Sequence, residues 1–280
     1  MTAPILVTGG GGMLATAVGK VFGDVADLVT RADLDITDAS AVRRAVAGRA
    51  VVINTAAYTA VDDAEAHEAV ASEINADGAM NVARACADNG ARLIHVSTDY
   101  VFNGLATSPY SESATTDPRS TYGRTKLKGE IAVRSAHPDG ATVVRTAWLY
   151  GVGGPSFVAT MLAKARAGDP VSVVTDQIGQ PTWTRDLAER IRLLLDVAPG
   201  TYHATNSGAC SWWDLAFAIY EEVGAPTALV GKTTSDAFLR PAPRPPYSVL
   251  GDAAAQAAGL PMMPPWREAL REALRSDFSM

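Results

Sequence analysis

The sequence feature that most constrains the fold is an apolar run that ends in four consecutive glycines near the N-terminus. Residues 5–8 read Ile-Leu-Val-Thr, residues 9–12 are all glycine, and apolar residues at helical spacing follow. A short apolar run of this kind is typical of a strand buried in a parallel sheet. Glycine permits a tight turn and lets the backbone approach a diphosphate, which then lies at the N-terminus of the next helix. The order strand, glycines, helix therefore predicts a dinucleotide-binding site.

The spacing of the glycines predicts which residues form the turn. Gly9 and Gly12 are followed at the same interval by Ala15, where a small residue still allows close packing of helix on strand. The alternative interpretation is a flexible glycine turn without a ligand. The order of elements favours the nucleotide interpretation.

Further apolar runs repeat the alternation of strand and helix. They occupy residues 25–30, 51–54, 92–97 and 142–145, and the segment 62–89 between two of them has helical periodicity. Such a series predicts βαβ units and an α/β fold of Rossmann type, with a doubly wound parallel sheet. Prolines become frequent after residue 151. We therefore expect an NAD(P)-binding domain over residues 1–170 and a smaller C-terminal α/β substrate-binding region over 171–280, part of which packs back on the first domain.

Tyr122 and Lys126 lie four residues apart in a segment that is predicted to be helical from residue 122 to residue 134. Positions i and i+4 share one face of a helix, so both side chains can reach one bound molecule. An ordinary tyrosine has a pKa of about 10, and a nearby cation lowers it. The pair is thus suited to proton donation. The alternative is a surface helix with a chance tyrosine–lysine pair.

Two strand ends carry further candidate residues. Thr30 and Arg31 follow the second predicted strand, where an NAD-binding protein usually has an acid for the ribose 2′-hydroxyl. An arginine can instead pair with a 2′-phosphate, so we expect NADPH or NADH as the cofactor; a solvated arginine is the alternative. Thr98 follows the fourth strand and can bond a substrate oxygen beside Tyr122, although a bond to local backbone is its alternative role.

Composition excludes several functional classes. The net charge is −6, and no basic run indicates nucleic acid or an anionic membrane as a partner. Cys86 and Cys210 are far apart and lack metal-type spacing, so we expect free thiols and no metal site. No apolar run approaches the ~20 residues of a membrane span. We expect a cytoplasmic protein, monomeric or homodimeric, that binds a small molecule.

Six motifs occur in the order found in a known family. They are residues 33–38 (DLDITD), 54–62 (NTAAYTAVD), 97–104 (STDYVFNG), 122–126 (YGRTK), 145–151 (RTAWLYG) and 244–248 (RPPYS). Over essentially the whole chain the sequence resembles the extended short-chain dehydrogenase/reductase family, and within it the branch that reduces dTDP-4-dehydro-L-rhamnose to dTDP-L-rhamnose. That resemblance implies an NAD(P)H-dependent oxidoreductase that acts on the C4 ketone of a nucleotide sugar.

The resemblance also implies roles for individual residues. In the cofactor site it implies that Gly12, Met13 and Leu14 line the pyrophosphate, that Asp35 and Ile36 contact adenine, and that Ala56, Ala57, Tyr58 and Thr59 border the nicotinamide ribose. Lys126 would hold that ribose and lower the pKa of Tyr122, which would protonate the sugar oxygen. In the substrate site Thr98 and Asp99 would touch the sugar, Trp148 would form a wall and Arg244 would meet the diphosphate, unless it only caps its proline-rich loop.

Two other functions remain open at this stage. A nucleotide-sugar epimerase or dehydratase can use the same scaffold, although Asp99 is followed here by Tyr100 instead of a second acid. A non-catalytic regulatory subunit like that of methionine adenosyltransferase also resembles these reductases. The set of Tyr122, Lys126 and Thr98 favours an active enzyme.

Overall fold

A parallel sheet forms the centre of the computed structural model, which describes residues 5–278. The strands are β1 Ile5–Thr8, β2 Ala26–Val29, β3 Val51–Asn54, β4 Arg92–Thr98, β5 Ala141–Thr146, β6 Leu149–Tyr150, β7 Val171–Val174, β8 Ile178–Gly179, β9 Thr182–Trp183, β10 Thr201–His203, β11 Cys210–Ser211 and β12 Val230–Thr233. Six of them pair in the order β2-β1-β3-β4-β5-β10, and every pairing in that sheet is parallel. The predicted doubly wound parallel sheet is confirmed.

Helices cover both faces of this sheet. They are α1 Met13–Phe22, α2 Ala39–Val46, α3 Glu68–Ser72, α4 Ala79–Asn89, α5 Thr121–Ala136, α6 Phe157–Ala167, α7 Thr184–Leu194, α8 Trp212–Glu222, α9 Ala253–Ala257 and α10 Trp266–Ser276. Apolar residues of α1 and α7 pack on one face and those of α2, α4 and α5 on the other. Ala15 is fully buried in the first cluster, which explains why a small residue occupies that position. Among the described helices, none has the length and apolarity to cross a bilayer.

The order of the strands indicates where a ligand can bind. The chain winds in one direction from β1 to β2 and in the other from β3 onward, so the carboxyl ends of β1 and β3 lie side by side at a switch point. Thr8 at the end of β1 is in register with Asn54 at the end of β3, and its hydroxyl donates to the Asn54 side chain at 2.7 Å. Ligands of open α/β sheets bind in the crevice beyond such a point.

The segment between β3 and β4 differs from the single helix that its periodicity suggests. A 3₁₀ turn at residues 63–65 precedes α3, and a π-helical turn over Glu73–Gly78 joins α3 to α4. Helix α4 ends at Asn89, and Gly90 follows it with a left-handed φ of 63°. A π-helical turn holds one extra residue per turn and often marks a functional site.

The C-terminal part of the chain builds a separate apolar cluster. Helix α6 packs on α8 through Leu162 and Ile219, and Leu270 of α10 joins them. Strand β10 instead belongs to the central sheet, and helix α7 packs on one face of that sheet. Cys86 and Cys210 are both buried free thiols. The domain boundary at residue 170 stays a prediction.

Two glycines let helix α5 touch neighbouring backbone directly. A Cβ atom built on Gly129 would lie 2.1 Å from the carbonyl oxygen of Asn75 in the π-helical turn. One built on Gly123 would lie 2.2 Å from the carbonyl oxygen of Tyr100. Real Cβ contacts do not come that close, so a larger residue would push the helix away from both segments.

We predict that Gly129→Ala destabilises the protein by about 2 kcal/mol, because overpacking against backbone exceeds the gain in helix propensity of about 1 kcal/mol. The matched control is Gly19→Ala in α1, where the new Cβ would meet only the flexible side chain of Leu28, at 2.9 Å. Urea unfolding monitored by circular dichroism measures both variants. Equal stability of the two variants would contradict the backbone contact.

Candidate active site

A cavity of about 530 Å³ lies at the carboxyl ends of β1, β3 and β4. Its walls come from the glycine turn, the loop after β3, the end of β4, helix α5 and the segment after β5. The lining residues are Gly11, Gly12, Met13, Leu14, Thr55, Ala57, Thr59, Val61, Val96, Ser97, Thr98, Asp99, Tyr100, Tyr122, Lys126, Thr146, Ala147, Trp148, Leu149, Gly153, Gly154, Pro155 and Trp212. The structure therefore brings most of the predicted cofactor and substrate residues to one place.

The glycine turn has the geometry that a diphosphate requires. Gly12 is the N-cap of α1, and no side chain caps the free N–H groups of the first turn. Gly9 has a φ of 78°, and a Cβ there would lie 2.8 Å from the Thr55 hydroxyl and 2.9 Å from the Ala56 nitrogen. Gly11 faces open space, with no atom within 4 Å of a built Cβ. The N-terminus of α1 is uncapped, and it lies beside a cleft that stays open because the turn has glycines in place of residues with side chains. Both features suit a dinucleotide diphosphate.

The predicted adenine end lies beyond the cavity, at the end of β2. Arg31 is largely exposed and lies 3.7 Å from the carboxylate of Asp35, while Thr30 donates to Asp33 through its N–H and its hydroxyl. Ile36 is 4% exposed, and its apolar side chain packs in the core against Gly78, just before α4. The contacts of Asp35 and Ile36 with adenine stay predictions.

Lys126 and Tyr122 project from α5 toward the end of β4. Lys126 is 2% exposed, and its ammonium donates to the Val96 carbonyl at 2.7 Å. Ser120 caps the helix by accepting from the Gly123 N–H, which fixes the start of α5 one turn before Lys126. The helix predicted over residues 122–134 is confirmed.

The pKa values of this pair differ from the expectation. Burial raises the pKa of Tyr122 to about 12, the charge of Asp99 adds to that effect, and Thr98 partly offsets it. Burial lowers the pKa of Lys126 to about 8. The pKa of Tyr122 is thus raised and not lowered as expected, because desolvation of the phenolate dominates. The effect of Lys126 on that pKa stays a prediction. Tyr122 therefore carries its proton throughout the neutral range.

Thr98 and Asp99 form a turn beside Tyr122. The Thr98 hydroxyl donates to the Asp99 carboxylate at 3.0 Å and accepts from the Tyr100 N–H at 3.2 Å. Asp99 is 2% exposed, and burial raises its pKa to about 6. Its Oδ2 atom has no hydrogen-bond partner among residues 5–278. The ring of Tyr100 packs edge-on against that of Tyr122, with centroids 5.6 Å apart.

Trp148 forms one wall together with a residue that the sequence did not indicate. Its indole stacks on that of Trp212 at 3.5 Å with an interplanar angle of 7°, and it also lies against Gly179. Trp148 has a φ of 46°, an uncommon backbone conformation for a bulky residue that often marks a functional site. No pattern linked Trp212 to Trp148, because the two are 64 positions apart in the printed sequence.

Arg244 lies outside this cavity. Its guanidinium donates to both carboxylate oxygens of Asp62 at 2.8 Å and to the Ala242 carbonyl at 2.9 Å. It lines a neighbouring cavity of about 460 Å³ that shares Tyr100 with the first. The structure thus pairs Arg244 with the loop after β3, and its contact with a diphosphate stays a prediction.

The loop after β3 is fixed by Asn75, another residue missed by sequence reasoning. Ala57 and Thr59 of this loop line the cavity. The buried Asn75 side chain accepts from the Tyr58 N–H at 2.8 Å and donates to the Tyr58 carbonyl at 3.2 Å and to Thr125 at 3.0 Å. The π-helical turn therefore joins the loop to α5. A lone asparagine in a helical segment carries no sequence signal for this role.

A buried ion pair lies one turn beyond Lys126. Glu130 is fully buried and accepts from Arg145 at 2.9 and 2.7 Å, from Ser97 at 2.7 Å and from Arg134 at 3.0 Å. These bonds hold its pKa below the usual value despite its burial. Extending the four-residue spacing of Tyr122 and Lys126 by one more step would have found Glu130.

Comparisons with known proteins agree with this geometry. The family model described as RmlD substrate binding domain matches residues 2–278. A dTDP-4-dehydrorhamnose reductase of Streptomyces griseus is 49% identical over 278 residues, which are 95% of this chain and 91% of that protein. A probable dTDP-4,6-dihydroxy-2-methyloxan-3-one 4-ketoreductase of Streptomyces antibioticus is 48% identical over 96% of this chain and 93% of that one.

A solved structure is similar over almost the same length. The dTDP-4-dehydrorhamnose reductase of Bacillus anthracis, in complex with NADP, superposes with a TM-score of 0.94 and 35% identity and covers 98% of this chain and 99% of that one. Identities of this size over nearly complete chains establish common family membership. The chain belongs to the RmlD substrate binding domain family, together with these dTDP-4-dehydrorhamnose reductases.

Proposed function

We propose that this protein is an NADPH-dependent oxidoreductase that reduces the C4 ketone of a dTDP-linked sugar, with dTDP-4-dehydro-L-rhamnose as its substrate. The observation that carries the proposal is the single cavity that holds the glycine turn, Tyr122, Lys126 and Thr98. The similar proteins from two Streptomyces species are named for different sugars, but both names describe reduction of a dTDP-linked ketone. Reduction of the ketone is thus common to both similar proteins, whereas the identity of the sugar differs between them.

The residues of the cavity can carry out the reduction as follows. When bound, the reduced nicotinamide supplies a hydride to the ketone carbon. Tyr122 keeps its proton up to high pH and can pass it to the ketone oxygen as negative charge develops there. The Thr98 hydroxyl can donate to the same oxygen once substrate displaces its bond to Asp99. The product is the alcohol at C4, and the phenolate of Tyr122 regains a proton from solvent.

The cofactor assignment rests on the end of β2. No acid occupies the tip after this strand, and Arg31 extends into solvent where it can pair with a 2′-phosphate. The similar Bacillus anthracis structure contains NADP. Both observations support NADPH over NADH.

We predict that Tyr122→Phe lowers turnover roughly 100- to 10,000-fold, because the alkoxide loses its proton donor. NADPH binding should stay near the wild-type value, since the ring is retained. The assay is the loss of NADPH absorbance with dTDP-4-dehydrorhamnose made in the cuvette from dTDP-glucose. The control is Tyr202→Phe, whose hydroxyl bonds the Ala198 carbonyl away from the cavity. Full activity of Tyr122→Phe would remove this residue from the acid role.

We predict that Arg31→Ala weakens the binding of NADPH about tenfold and leaves that of NADH nearly unchanged, since only NADPH has the phosphate with which a guanidinium can pair. Arg43→Ala is the matched control, because Arg43 is an exposed arginine of α2. Cofactor fluorescence titration measures both dinucleotides. Equal weakening of NADPH and NADH would refute the phosphate contact.

A further inference from the structure

The residues that face β4 from helix α5 continue one turn beyond the proposed catalytic pair. Tyr122, Lys126 and Glu130 follow one another at intervals of four, so they share one face of the helix. Lys126 donates to the carbonyl of Val96, and Glu130 accepts from the hydroxyl of Ser97, the next residue of the same strand. The lysine and the carboxylate are therefore neighbours on the helix, and they hydrogen-bond to adjacent residues of β4.

Lys126 needs a compensating charge to stay protonated. Its side chain is almost completely buried, and the Val96 carbonyl is its hydrogen-bond acceptor. Removing an ammonium from water costs several kcal/mol, and a single neutral acceptor does not offset that cost. Residues at i and i+4 of a helix have their Cβ atoms about 5–6 Å apart, so Glu130 is a neighbour of Lys126 on the same face, and its charge attracts the ammonium more than it would in water.

Glu130 is held so that its charge persists. Arg145 grips both carboxylate oxygens from β5, and Ser97 and Arg134 supply two further donors. A carboxylate with this many donors stays ionised even when fully buried. If the Glu130 carboxylate turned away, Arg145, a residue that is 3% exposed, would lose its charged partner and keep the neutral Glu112 carbonyl as an acceptor.

We propose that Glu130 is a positioning residue of the reduction, whose buried carboxylate keeps Lys126 in its ammonium form at the end of β4. The assignment rests on the proposed function insofar as Lys126 binds the cofactor ribose there. Glu130 itself does not line the cavity. It acts through Lys126.

The electrostatics of the surroundings agree with this role. Burial lowers the pKa of Lys126 to about 8, and Glu130 is the charge that counteracts this effect. The histidines of the neighbouring strands add no positive charge at neutral pH, because burial holds the pKa of His203 at about 4 and that of His95 well below its usual value. The other charged or titratable groups near the pair include Tyr122 and Asp99, which line the cavity with Lys126, and Arg134 and Arg145, which bond Glu130.

Titration of Lys126 makes the affinity for NADPH depend on pH. The pKa of Lys126 in the folded protein lies below its ordinary value, so the ammonium is lost as pH rises through about 8. Affinity for NADPH should fall over the same interval, since the neutral amine is a weaker partner for the ribose. Without the Glu130 charge, Lys126 loses its proton at lower pH, and the fall in affinity should move toward neutrality.

The test measures NADPH affinity as a function of pH by cofactor fluorescence, without any sugar substrate. In Glu130→Gln we expect the fall in affinity at alkaline pH to move down by about one pH unit relative to wild type. Glu130→Asp keeps the charge and should restore the wild-type position within about 0.3 pH unit. A folded Glu130→Gln variant with the wild-type pH dependence, or a Glu130→Asp variant shifted as far as Glu130→Gln, overturns the proposal.

Two further variants separate charge from folding. Glu68 of α3 lies 3.6 Å from Arg124 and 3.9 Å from Lys128, which are on the exposed side of α5. Glu68→Gln removes this negative charge and should not move the pH dependence of NADPH affinity. If Glu130→Gln does not fold, the double variant Glu130→Gln/Arg145→Met avoids a buried unpaired guanidinium. Because it also removes a cation, its reference is Arg145→Met, relative to which the fall in affinity should move down in pH as it does for Glu130→Gln. A shift of equal size in Glu68→Gln, or no shift in the folded double variant, rejects the role of Glu130.

The readout also separates this inference from the function on which it rests. A wild-type protein that binds NADPH but reduces no dTDP-linked sugar would refute the proposed function. The pH dependence of NADPH binding would still test Glu130, because it needs no turnover.

Discussion

Close contact between helix α5 and the segments around it holds the candidate active site together. Glycines at positions 123 and 129 bring its backbone against two carbonyl groups, and Glu130 anchors it to β4 and β5 through Ser97 and Arg145. The residues proposed to act on the substrate project from this helix and from the end of β4. Their relative positions therefore depend on packing and on one buried ion pair far more than on loops.

Burial explains the chemistry of the site as well as its geometry. Removing water disfavours every charged form, which raises the pKa of Tyr122 to about 12 and that of Asp99 to about 6 and lowers that of Lys126 to about 8. A tyrosine of this kind holds its proton until a developing alkoxide, which is a stronger base than water, draws it away. Bringing a nicotinamide and a sugar into the cavity would exclude still more water, so the donors act where their effect is largest.

The sequence predicted the parts of this protein that depend on short-range patterns. Apolar runs and glycines predicted β1, the turn after it and the parallel sheet, and the four-residue spacing predicted the shared face of Tyr122 and Lys126. The sequence did not reveal contacts between distant segments, such as Trp212 on Trp148 or Asn75 on Tyr58. It also gave the wrong direction for the pKa of Tyr122, since the spacing reveals the nearby cation but not the depth of burial.

The π-helical turn over Glu73–Gly78 sets a limit on how this chain can change during evolution. Each residue of an α-helix advances the chain by about 100°, so loss of the extra residue would rotate Asn75 relative to α4 by more than a quarter turn. The side chain of Asn75 would then lose its hydrogen bonds to Tyr58 and Thr125, even if no other residue were changed. A change of an exposed side chain in this segment leaves the Asn75 contacts in place, whereas a change in its length does not. A deletion here is therefore a change in the active site, even though the segment lies outside the cavity.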